Sequence, residues 1–95
     1  MDFLRELNID SETIEKIKNN NLPSAIRQFI CDRENATKII KYMQEVGIQI
    51  IDDILIRRIE IFSIDYDSIK QAFDEYNINL LVALVNEDIS AVNFL

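Results

Sequence analysis

Carboxylates are the only side chains here numerous enough to act by convergence: the 95 residues hold 17 Asp and Glu and no His. Three adjacent pairs occur, Asp52-Asp53, Asp74-Glu75 and Glu87-Asp88. Two carboxylates facing each other could share a proton or hold a cation. Neighbours on a helix, however, point about 100° apart and diverge. Without His, a Cys–His nucleophile and His-containing zinc sites are excluded, and with a single Gly there is no glycine-rich phosphate loop. The expectation is therefore a protein that is not an enzyme and needs no cofactor or metal. The lone Cys31 cannot form an internal disulfide and reads as a small packed hydrophobe.

What the carboxylates can do is attract. Residues 1–59 carry ten acidic and nine basic side chains, net −1. Residues 60–95 carry seven acidic (Glu60, Asp65, Asp67, Asp74, Glu75, Glu87, Asp88) against Lys70 alone, net −6, which completes the total of −7. Asp65, Asp67, Asp74, Glu75, Glu87 and Asp88 are the candidate partner-binding residues, expected to be exposed, largely on one side, where a basic protein partner could be steered in. Mimicry of nucleic-acid charge, as in an acidic inhibitor, uses the same feature. Nucleic acid itself is not an expected partner, because phosphate affinity comes from Lys and Arg, and Lys38, Lys41 and Arg57-Arg58 make no basic stripe. A homodimer is compatible with the sequence.

These side chains must be carried by helices. Asp2 to Leu7 reads as a first helix; Asp10 or Ser11 caps a second to about Asn19 with Ile14 and Ile17 inward, and "NNN" breaks it. Pro23 starts a third to Cys31, with Ile26, Phe29 and Ile30 as its buried stripe. A fourth spans about Asn35 to Val46, where Ile39, Ile40, Met43 and Val46 keep helical spacing. "IIDDILIRRIEIF" places Ile51, Ile54, Leu55, Ile59 and Phe62 on one helical face, predicting helix from about Ile50 to Glu60. A strand is the alternative over 59–66, where "FSIDYD" alternates. Asp65 or Asp67 caps a helix carrying Ile69, Phe73 and Tyr76. Asn79 caps "LLVALV", apolar on nearly every side and hence read as a central buried helix with Val82, Leu84 and Val85 in the core. "DISAVNFL" adds a last short helix.

One pattern recurs three times, in "FLRELNID", "YMQEVGIQ" and "AFDEYNIN": an apolar residue, then Glu, then Asn or Gly, then Ile. It is a helix-stop signal. Asn8, Gly47 and Asn77 are of the types that take left-handed backbone, and the following Ile should fold back onto Leu4, Met43 or Phe73, five residues earlier. Glu6, Glu45 and Glu75 oppose the macrodipole of the helices they end, unless they accept hydrogen bonds from the next helix. The stops lie 39 and 30 residues apart, each followed by a capped helix and a linker, a helical-repeat layout. The expectation is one all-α domain over residues 1–95, with six to eight short helices in repeated pairs, solenoid-like or as a compact orthogonal bundle.

A helix ending in "ELNI" or "EVGI", then "SETIEKI" or "IIDDIL", then "RRIEIFSID" resembles the repeats of the mitochondrial transcription termination factor family. The resemblance implies helical repeats stacked in a curved solenoid and, from the family's characterised members, nucleic-acid binding. This chain has Ile59 or Glu60 where the family usually carries a proline, and it lacks the family's basic groove. The longest apolar run, "INLLVALV", falls well short of the roughly 20 residues that span a bilayer. With an acidic N-terminus unlike a signal peptide, the chain reads as a cytoplasmic protein with no membrane partner.

Overall fold

A computed structural model describes residues 1–95 as an all-α protein. Its α-helices are α1 (Asp2–Glu6), α2 (Ser11–Asn20), α3 (Pro23–Cys31), α4 (Arg33–Val46), α5 (Ile51–Arg57), α6 (Tyr66–Glu75) and α7 (Ile78–Glu87). Two 3₁₀ helices follow α5 and α7: η1 (Ile59–Ser63) and η2 (Ile89–Phe94). The expected helix to Glu60 ends instead at Arg57, and the strand alternative over 59–66 gives way to η1. No pairing strand exists for it, and the tighter turn buries Ile59, Ile61 and Phe62 together.

The longest helix, α4, is the centre of the fold. It packs against α1, α3, α5, α6, α7 and η1, and buries Ala36, Ile39, Ile40, Tyr42 and Met43. Helix α2 lies on α5, burying Ile14 and Ile17, while α3 lies on η1. Phe29 anchors that second contact, its ring 5.4 Å from Phe3 and edge-on to Phe62 at 6.1 Å. Ile26 and Ile30, expected beside Phe29 in the core, are only half-buried. The 24 apolar side chains of the core form one cluster, and the radius of gyration is 12.5 Å, against about 12 Å for a compact chain of this length.

The helix ends follow the stop signal. Asn8, Gly47 and Asn77 have positive φ (68°, 97° and 67°). At the first two, the amide of the following Ile donates to the carbonyl five residues back: Ile9 to Leu4 at 3.0 Å and Ile48 to Met43 at 2.9 Å. Asn77 behaves differently. With ψ 110° it leaves α6 and at once caps α7, its Oδ1 accepting from the amides of Asn79 and Leu80. The cap of α7 is therefore Asn77 and not Asn79, because only Tyr76 and Asn77 separate the two helices and α7 starts at Ile78. Glu6, Glu45 and Glu75 accept nothing from the next helix. Glu75 takes a bond from Gln71 on its own helix, and nothing in the structure explains the other two.

Amide side chains close several of the remaining ends. Asn20 and Asn21 donate back to the carbonyls of Lys16 and Ile17, satisfying acceptors that a helix C-terminus leaves open, and Asn21 also reaches Ile56 O on α5. Asn35 on α4 donates to Phe62 O and Ile64 O, and its Oδ1 accepts from the Tyr66 amide at 2.9 Å. The first turn of α6 is thus capped from α4. Asp65, at the N-cap position, makes no side-chain cap, and Asp67 is not the capping residue. Gln44 holds the end of α1 through Leu7 O, and Asn86 on α7 pairs with Gly47 O and the Gln49 amide.

Candidate functional site

The six candidate carboxylates are all exposed. Asp65 and Asp67 sit at the start of α6, Asp74 and Glu75 at its end, Glu87 at the end of α7, and Asp88 in the link to η2. Seven residues are nearly two helical turns, so Asp67 and Asp74 share one face of α6, turned away from the buried Ile69 and Phe73. Glu75 ends α6 just before α7 begins, and Glu87 ends α7, whose ten residues span about 15 Å.

None of the six forms an ion pair. The four salt bridges of the molecule, Asp2–Arg5, Glu12–Lys16, Glu15–Lys18 and Arg58–Glu60, all lie elsewhere. Asp88 has structural work of its own: its Oδ1 accepts from the Ser90 amide at 3.0 Å, capping η2, and that bond holds its carboxyl below the ordinary value. Asp74 acts further inward. Burial pushes the Tyr42 phenol above its ordinary value, and the nearby charge of Asp74, the Tyr66 phenol and Glu45 of α4 push it the same way. The Tyr42 hydroxyl is buried and has no hydrogen-bond partner, while its ring packs edge-on against Phe73 and Tyr66.

Between Glu75 and Glu87 the surface holds an apolar strip, with the exposed Asn77 and Asn79 beside it. The helix expected to be the buried centre, α7, buries only Leu81 and Val85 fully; Leu84 is 40% exposed, Leu80 57%, and Val82 half-buried. The reason is competition for the interior. With α4 at the centre, α7 packs on α4, α6 and η2 through one face, and its other face has nothing left to meet. Leu80 and Leu84 line a cleft of about 60 Å³ with Tyr76 and Phe94, whose rings lie 5.6 Å apart, over a floor made by Leu81. Of the five large exposed apolar side chains, four meet here, and only Leu22 stands apart. Sequence reasoning missed this patch. The signal was "LLVALV" itself, apolar around its whole circumference in a chain too small to cover more than one side.

Elsewhere the surface is less organised. A recess of about 460 Å³ is lined by Cys31, Asp32, Arg33, Glu34, Asn35 and Lys38, and an adjoining one of about 420 Å³ shares Arg33, Glu34 and Lys38 with it. Their lining mixes both signs without convergent polar groups. Cys31 is exposed there and not packed, because Phe29 takes the inward position and two further residues turn the chain about 200° around α3. No group of three or more Cys, Asp or Glu side chains is placed to hold a metal ion, and no helix is long and apolar enough to cross a membrane. No protein-family model matches the chain, and neither does any curated protein or solved structure.

Proposed function

We propose that this protein is a non-enzymatic interaction module that presents its acidic C-terminal third to a basic protein partner. The observation that carries the reading is that all six candidate carboxylates are exposed and none is neutralised by an internal Lys or Arg. Exposed like charges left unpaired on one segment repel each other, and a basic partner relieves that repulsion while gaining a faster approach. The order helix, left-handed stop, helix, 3₁₀ turn occurs twice, as α4-α5-η1 and α6-α7-η2. It supports a helical-repeat reading in which such units offer their outer faces to a partner.

The competing reading is the nucleic-acid-binding repeat that the resemblance to transcription termination factors implies. The net charge of −7 speaks against it, as does the interleaving of Asp32 and Glu34 with Arg33 and Lys38 where basic side chains do meet. A pull-down from the source cell tests the two together, with Asp65, Asp67, Asp74 and Glu75 reversed to Lys as the control. Proteins retained by the wild type and lost by the reversed variant are the expected result. A salt-sensitive gel shift of RNA or DNA at micromolar wild-type protein would favour the competing reading.

A further inference from the structure

We infer that the cleft formed by Tyr76, Leu80, Leu84 and Phe94 is the anchoring site for an amphipathic helix of a partner protein, with leucine-like side chains on one face and Lys or Arg beside them. The inference deepens the acidic-surface reading above and rests on it. The cleft is far below the roughly 300–1,000 Å³ of small-molecule sites, and its size suits one or two aliphatic side-chain tips. Its walls are apolar only, so they give grip without orientation. Orientation must come from the charges beside the cleft, which are acidic on α7 and at the end of α6, while Arg58, which reaches Asn93 beside Phe94, is already paired with Glu60. Leu80, Leu84 and Glu87 follow each other at helical spacing along one stripe of α7, and Glu75 adjoins Tyr76 at the other end.

An apolar trough along a helix, bounded by acids at both ends, is complementary to a helix with apolar residues at i and i+4 and basic residues beyond them. The fold has no strand, and so no sheet edge that an extended segment could join. A second copy of this chain is a poor occupant, since its own patch lies in a segment of net charge −6 and would bring like charge to like. Leaving the patch bare exposes four large apolar side chains in one place, the kind of surface that marks a binding site in a soluble protein.

The test uses the whole chain and two fluorescein-labelled helical peptides, one with leucines at i and i+4 among lysines and one with those leucines replaced by serine. Fluorescence anisotropy should show the leucine peptide binding, and both the serine peptide and the Leu80→Asn/Leu84→Asn protein should weaken binding about tenfold or more. Circular dichroism of the variant should stay helical, and the serine peptide tests the same point without altering the protein. Equal binding of the two peptides would overturn the inference and leave the acidic surface standing, because charge alone would then suffice. Binding of neither peptide would overturn the inference together with the reading beneath it. Dimerisation in sedimentation that Leu80→Asn/Leu84→Asn abolishes would also overturn it, by assigning the cleft to a second copy.

Discussion

At Gly47 a side chain would meet nothing within 4 Å, so the only cost of adding one is the left-handed backbone at φ 97°. Gly47→Ala should therefore lower stability by about 1 kcal/mol in urea unfolding. Asn77→Ala should cost more, about 1–3 kcal/mol, because it loses the cap of α7 as well as the tolerated positive φ. Equal losses at the two sites would show that the Asn77 cap contributes nothing. Tyr42 makes the opposite case. Its hydroxyl is buried without a partner, so Tyr42→Phe removes an unsatisfied group without changing the shape of the core and should raise stability by up to about 1 kcal/mol. A loss of that size would mean that the hydroxyl has a partner. Asp10 sets a pH dependence: the Thr13 amide, which donates to its Oδ1 at 2.7 Å, holds its carboxyl below the ordinary value of 3.8. Its stabilisation is thus complete above 3.8 and fades as the pH falls below it, and Asp10→Asn should flatten that part of the acid unfolding curve.

Helix α7 should divide energetically along its two faces. Leu81→Ala opens a cavity against a closed core and should cost about 2–5 kcal/mol, whereas Leu84→Ala, on the open face, should cost no more than about 1 kcal/mol. Similar costs at the two positions would place α7 in the interior after all. Asn35 ties α4 to the start of α6 through two donated bonds and one accepted. Asn35→Ala should therefore cost about 2–4 kcal/mol, and Asn35→Asp should fail to restore it, since a carboxylate can accept from Tyr66 but only repels the carbonyls of Phe62 and Ile64. Helix positions were legible in the sequence because apolar spacing and stop residues are local signals, as Ile14 and Ile17 on α2 and the Asn8 and Gly47 stops show. The roles of Asn35 and Asn86 were not legible. Their partners lie 27 to 39 residues away, and nothing local distinguishes an asparagine that caps a distant helix from one that faces water.

The molecule as a whole is two unequal electrostatic bodies on one core: a balanced N-terminal part, and a C-terminal third of net charge −6 in which only Glu60 has an internal counter-ion, Arg58. That asymmetry was readable from composition, whereas the apolar cleft between the acids was not. It depends on α4 and not α7 winning the interior, and several apolar helices compete for that place. Because the four acids of α6 and its cap are exposed and unpaired, reversing Asp65, Asp67, Asp74 and Glu75 to Lys should leave the fold intact. A helical circular-dichroism spectrum with an unchanged melting temperature checks this, and collapse of the fold would expose hidden ion pairing. The acidic third as binding face is tested most directly by an amide NMR titration of the ¹⁵N-labelled protein with the lysine-and-leucine peptide. Shifts confined to α6, α7 and η2, strongest around Glu75, Leu80, Leu84 and Glu87, are expected. Shifts centred on α2 and α3, or none at saturating peptide, would contradict it.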